Sequence, residues 1–142
     1  MNEFRVTTNI EEMDFEKIYR FISNSYWAKG IPKKIMIKAI ENSLSFAVIN
    51  TNNQLIGFAR MITDRATFAY LADVFIEKEY RGLGLSRFLV SAIISHSELQ
   101  GLRRVMLATK DAHGLYEKFG FERIENQEML MQILQPNVYQ KS

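Results

Sequence analysis

A run of apolar residues from Thr67 to Glu77, broken by one charge at Asp73, leads through Tyr80-Arg81-Gly82-Leu83-Gly84 into Leu85, Phe88, Leu89, Ala92 and Ile93. The apolar run reads as a central strand covered on both faces, and the spacing of the later group predicts a helix that ends near Gly101. A strand that opens into a helix through glycines leaves the first amides of that helix without intrachain partners. The helix dipole adds partial positive charge at the same place. Gly82 and Gly84 let a ligand approach the main chain with no Cβ in the way, so a pyrophosphate fits physically. Arg81 and Arg87 supply countercharge.

Two rival phosphate motifs match less well. A dinucleotide turn needs Gly-x-Gly-x-x-Gly and opens a larger fold, whereas Arg87 stands at the third glycine's place. A Walker loop fails for lack of Gly-Lys-Ser/Thr.

Periodicity places other elements on either side of this run. Phe4 to Thr8 reads as a first strand. Asp14 reads as a helix N-cap, with Met13 and Ile18 stapled across it, and a second helix is expected from Lys33 to about Asn42. Leu44 to Asn50 and Gln54 to Thr63 form a hairpin about the turn Asn50-Thr51-Asn52-Asn53. Arg104 to Ala108 is a further strand, and a short helix capped by Asp111 stops at Gly120. Phe121 to Ile124 and Glu128 to Ile133 read as closing strands. The predicted order is β-α-α-β-β-β-α-β-α-β-β, a mixed α/β fold.

The 142 residues fit a single domain, 1–142, with 135–142 as a frayed tail. Neither a linker nor a repeat divides the chain. The 18 basic and 16 acidic residues are spread along it, unlike the basic face of a general nucleic-acid binder. An apolar run of the roughly 18 residues that span a bilayer is absent. The start, MNEFRVTTNIEEMDF, lacks the pattern of a secretory signal, so a cytoplasmic location is expected. With no cysteine, disulfides, thiolate metal sites and a cysteine nucleophile are excluded, and no metal cluster is evident.

The run Glu79-Tyr80-Arg81-Gly82-Leu83-Gly84-Leu85-Ser86 resembles the acetyl-CoA signature Arg/Gln-x-x-Gly-x-Gly/Ala of the GNAT superfamily, the Gcn5-related N-acetyltransferases. Arg81 and Gly84 match; Ser86 stands where Gly or Ala is usual. Downstream, Ala112-His113-Gly114-Leu115-Tyr116-Glu117-Lys118-Phe119-Gly120-Phe121 is similar to the family's Ala-x-x-Leu-Tyr-x-Lys-x-Gly-Phe segment, and Thr109 replaces a frequent asparagine three residues before its alanine. The resemblance runs from Phe4 to about Ile133. It implies a mixed, mostly antiparallel sheet flanked by helices, and transfer of an acetyl group from acetyl-CoA to an amine by direct attack.

The same resemblance implies the site. Main-chain groups of Phe75 and Ile76, or of Val74 and Ile76, would pair with the pantetheine arm, and an amide near Val74 would stabilise the oxyanion. The pyrophosphate would sit on Gly82, Leu83, Gly84, Leu85, Ser86 and Arg87, with Arg81 and Thr109 nearby. Tyr116 corresponds to the family's general acid; phenol and thiol both ionise in the range of roughly 8.5 to 10. The other reading of Tyr116 is packing beside Leu115 and Phe119.

Asp73, with Leu71 and Phe75 as same-face neighbours by the strand period, is a candidate base, direct or through water; equally, it bonds a nearby arginine or the main chain and shapes the site. His96, read on the core face of its helix, and His113 are weaker candidates. Tyr26, Trp27 and Ile31, in the connection between the first two helices, and Arg60, Arg65 and Tyr70 are acceptor-side candidates. An arginine there would favour an acceptor that carries a carboxylate or phosphate. A non-catalytic acyl-CoA-binding or regulatory module and a nucleotide-sensing domain stay open as alternatives, and a homodimer is compatible with exposed sheet edges.

Overall fold

Asp14 sets the entry to the first helix: its Oδ1 accepts from the Lys17 N–H at 3.2 Å, the N-cap bond read from the sequence. In the computed structural model, which describes residues 3–140, that helix is α1 (Phe15–Ser23). It follows strand β1 (Phe4–Thr7) and precedes α2 (Lys33–Glu41). Ile18 and Ile22 of α1 and Met36 and Ile40 of α2 are buried on one face of the sheet. Each such side chain contributes about 2 kcal/mol.

The sheet continues through β2 (Leu44–Asn50), β3 (Leu55–Thr63) and β4 (Phe68–Ile76); then come α3 (Leu85–Ile94), β5 (Arg104–Leu107) and α4 (His113–Glu117). Strand order is β1-β2-β3-β4-β5, antiparallel except for the parallel β4–β5 pair. Leu85, Leu89, Val90 and Ile93 of α3 cover the face opposite α1 and α2. This is the mixed, mostly antiparallel sheet flanked by helices that the sequence leads one to expect.

Strand β4 departs from the expected plain, central strand. It stands fourth in the sheet, next to the edge strand, and its residues alternate between buried and partly exposed. Asp73 adopts φ +57°, and the β3–β4 register slips between Phe58–Phe75 and Arg60–Ala72. One extra residue in β4 makes a bulge there. The bulge reverses side-chain parity: Ala69 and Leu71 pack on the α3 face, whereas Phe75 packs on the α1 face. Leu71 and Phe75 therefore lie on opposite faces and cannot both be same-face neighbours of Asp73, as the period of two would have them.

Helix α3 is shorter than expected, ending at Ile94 rather than near Gly101. His96 lies beyond it, where its Nδ1 accepts from the Glu98 N–H at 3.1 Å, so it is not a helix core position. Asp111 does not cap α4; Thr109 Oγ1 accepts the Ala112 N–H at 3.1 Å instead. The two closing strands expected at Phe121–Ile124 and Glu128–Ile133 are absent; those residues form an extended arm with a single 3-10 turn at Gln127–Met129. Past the arm, Tyr139 packs against the α1 cluster, while Lys141 and Ser142 of the expected tail lie outside the described residues.

Candidate acetyl-transfer site

The β4–β5 pairing stops at Leu71–Leu107. Beyond it the two strands part, and the main chain of Ala72 to Ile76 has no strand neighbour on its β5 side. A groove of about 1270 Å³ fills this gap, lined along its length by Ala72, Asp73, Val74, Phe75, Ile76 and Tyr116 among others. The bulge and the missing partner have one consequence: main-chain polar groups stay accessible in the middle of a folded sheet.

At one end the groove meets the turn into α3, where a second depression of about 220 Å³ is lined by Arg81, Gly82, Gly84, Leu85, Ser86 and Arg87. Gly82 and Gly84 have φ +85° and +81°, and a Cβ added to either would point into open space. That open space is where a ligand would approach the first amides of α3. The Arg81 side chain turns back along β4, its Nε donating to the Ile76 carbonyl at 3.0 Å. Leu83 stands half-exposed between the two glycines, outside both sets of lining residues. The residues thus fit an elongated ligand with a pyrophosphate and an amide-bearing arm.

Tyr116 is buried, with its ring edge-on to Phe121 at 5.8 Å and its face in the α3-side core. Desolvation raises its phenol above the ordinary value. The group therefore stays protonated at neutral pH and is an acid rather than a base.

The opposite end of the groove carries the acceptor-side candidates. The Trp27 indole N–H donates to Asp73 Oδ1 at 2.6 Å, and Arg60 Nε donates to Oδ2 at 2.5 Å. Arg60 Nη1 also reaches Ser43 Oγ at 3.0 Å. Asp73, 8% exposed, thus binds the α1–α2 connection and β3 at once. Tyr26 meets Trp27 edge-on at 5.1 Å, and the Lys110 ammonium lies 3.9 Å from the Tyr26 ring centroid. Tyr70 lines the same end.

Several other expectations fall away from the groove. Ile31 is buried beneath α2, and Arg65 pairs with Glu98 at 2.5 Å. Neither lines the groove, nor does His113, the first residue of α4. Thr109 lines it, with its hydroxyl already engaged by Ala112. Sequence reasoning missed Arg20 and Phe21 of α1, Lys110 and Leu134, all of which line the groove. The spacing of α1 marks Phe21 for the core, where it stacks on Phe75 at 4.0 Å. Nothing local in the sequence announces the Lys110–Tyr26 contact.

Among the described residues there is no helix long and apolar enough to cross a membrane and no group of three or more His, Cys, Asp or Glu placed to hold a metal ion.

The model of the acetyltransferase (GNAT) family matches residues 9–121. A candidate acetyltransferase of Gibberella zeae is 30% identical over 138 residues, covering 82% of this chain and 77% of its own length. An uncharacterised N-acetyltransferase of Pyropia yezoensis is 31% identical over 104 residues, covering 67% of this chain; the chain spans 57% of that protein. Among solved structures, a candidate GNAT-family acetyltransferase of Xanthomonas campestris is 42% identical, with a TM-score of 0.94 and 99% of each chain covered. The open strand pair, the glycine turn and these matches agree: the chain belongs to the GNAT family of acetyltransferases.

Proposed function

We propose that this chain transfers an acetyl group from acetyl-CoA to a primary amine by direct attack of the amine on the thioester carbonyl. One observation carries the reading: the unpaired edge of β4 at Ala72–Ile76 runs into the amino terminus of α3, so a single extended ligand spans both. Main-chain groups of Phe75 and Ile76, or of Val74 and Ile76, pair with the amides of the pantetheine arm as a strand would. The amides of Leu85, Ser86 and Arg87 take the pyrophosphate, helped by the open backbone at Gly82 and Gly84. Ser86 and Arg87 add a hydroxyl and a charge.

An amide near Val74 stabilises negative charge on the carbonyl oxygen as the amine adds. Tyr116 gives its proton to the departing thiolate and regains one from solvent. Asp73 holds Trp27 and Arg60 so that the acceptor end of the groove keeps its shape, and the amine's excess proton leaves through water in the groove. Trp27, Tyr26 and Tyr70 offer aromatic faces to the acceptor.

The test is calorimetric titration with CoA, followed by thiol release from acetyl-CoA over a panel of amines. CoA binding with release for at least one amine supports the reading. Binding without release across the panel leaves the chain as an acyl-CoA-binding module, and no binding overturns both.

A further inference from the structure

The charges that line the groove do not cancel. One face of α1 forms part of its wall, where Lys17, Arg20, Phe21 and Asn24 recur at the three- and four-residue spacing that aligns side chains on one side of a helix. Lys17 is taken by Glu77 at 3.4 Å. The two arginines that the sequence marks for the acceptor are also neutralised, Arg60 by Asp73 and Arg65, away from the groove, by Glu98. Arg20 and Lys110 are different. Both are exposed, both line the groove, and neither has a carboxylate partner among the described residues.

The local contacts of these two cations leave their donors open. Arg20 offers its carbonyl to Asn24 Nδ2 at 2.7 Å, but its guanidinium donates to no described residue. The Lys110 ammonium lies against the Tyr26 ring; a ring face attracts an ammonium yet occupies only one side of its three donors. Asp111 is the one lining carboxylate outside the two ion pairs, and no cation among the described residues lies within ion-pair distance of it. Two unpaired cations on a concave wall draw anions in and repel a second positive charge.

We propose, on the acetyl-transfer reading above, that the acceptor is a small zwitterion: a primary amine with a carboxylate or phosphate a few bonds away, the anion being held by Arg20 and Lys110. The amine goes forward to the carbonyl beside Val74 and Tyr116, and the rest of the molecule extends back along the groove toward α1 and Tyr26. A guanidinium gives paired donors to either kind of anion, and Lys110 adds a compact charge. A polyamine, or a lysine within a basic peptide, meets repulsion at the same place. Arg20 and Lys110 thus set which amine is accepted, while the reacting atoms are left to the other groups.

Thiol release from acetyl-CoA is measured with γ-aminobutyrate against butylamine, with phosphoethanolamine against ethanolamine, and with putrescine. At least one anionic amine is expected to exceed its neutral counterpart in kcat/KM by about tenfold, the worth of one charge-assisted hydrogen bond; which pair shows it tells carboxylate from phosphate. The preference is expected to shrink between about 0.1 M and about 1 M salt, as the screening length falls from about 10 Å to about 3 Å. Arg20→Gln and Lys110→Gln are each expected to raise the KM of the preferred amine several-fold with little change in kcat, and Arg20→Glu to move the preference toward putrescine. Both positions are exposed, and CoA titration of each variant checks that the fold and the cofactor end persist. Calorimetry of the two anionic amines on the CoA-loaded chain reads the same site without turnover. Binding that weakens in Arg20→Gln, with no thiol released, supports the anion site and overturns the transfer reading. Release at equal efficiency from anionic and neutral amines keeps the transfer reading and overturns the anion site. Putrescine preferred by the wild type, a preference that neither glutamine variant alters, or anionic amines that neither bind nor react overturns it as well.

Discussion

Trp27 and Asp73, 46 residues apart in sequence, meet through a 2.6 Å hydrogen bond from the indole N–H to a carboxylate oxygen. The bond forms because the bulge in β4 turns Asp73 out of the strand's alternation and toward α1, where the α1–α2 connection passes. Arg60 occupies the other oxygen. A charge placed between two elements in this way fixes their separation, and with it the width of the end of the groove proposed for the acceptor.

Removing that carboxylate leaves the Arg60 guanidinium, a largely buried group, without its counterion. Asp73→Ala is expected to cost about 3 kcal/mol in urea unfolding. Asp73→Asn keeps a hydrogen-bond acceptor and is expected to cost less. In the proposed reaction, Trp27→Phe raises the acceptor KM several-fold while kcat and acetyl-CoA affinity change little. A pH–rate profile that loses its acidic limb in Asp73→Asn would instead make Asp73 the base.

Tyr116 is expected to separate chemistry from binding. Tyr116→Phe removes the proton donor but keeps the ring against Phe121, so kcat is expected to fall about 100-fold with CoA affinity unchanged. Burial raises the phenol's pKa in the folded state, so its contribution to stability is complete below the unfolded value of about 10 and is lost as pH rises through the folded value. Chemical unfolding should therefore show the wild type weakening relative to Tyr116→Phe above about pH 10.

The strands β2 to β5 and the glycine turn were legible because their signals are local: alternation, a helical stripe, glycines between them. The bulge was not. A left-handed residue other than glycine leaves little trace in sequence, and one extra residue at Asp73 reverses every parity assignment on one side of it. The closing strands at Phe121–Ile124 and Glu128–Ile133 failed for another reason: alternation records that a segment suits a sheet, whereas a strand exists only when an edge receives it. Pairs such as Lys110–Tyr26 depend on how two loops meet, which no spacing rule contains.

Asp64 gives an acid-side test away from the groove. Its Oδ1 accepts the Ala66, Thr67 and Phe68 amides at 2.9, 2.8 and 3.2 Å, and Oδ2 accepts the Thr67 hydroxyl at 2.7 Å, closing the β3–β4 turn. These bonds, the Thr67 amide first, hold its pKa far below the usual carboxylate range. A depressed pKa contributes stability above the unfolded value of about 4, lost as pH falls through the folded one. Asp64→Ala is thus expected to be less stable than wild type at pH 7, with the gap narrowing as unfolding is measured at successively lower pH, from about pH 4 downward.

Gly84 tests the proposed anion cradle. At φ +81° it holds the N-cap of α3, and nothing lies within 4 Å of the place a Cβ would take. An alanine there meets no protein atom, so its stability cost is the left-handed backbone alone, about 1 kcal/mol. Gly101, at φ +76° and also in open space, carries the same strain outside both depressions. Gly101→Ala and Gly84→Ala are therefore expected to lose similar stability by thermal unfolding. They diverge in CoA titration: the methyl at position 84 enters the space a pyrophosphate would use, and a loss of about tenfold in affinity, or 1.4 kcal/mol, is expected for Gly84→Ala alone. Equal affinities for the two variants would mean that the anion is held somewhere other than the amides after Gly84.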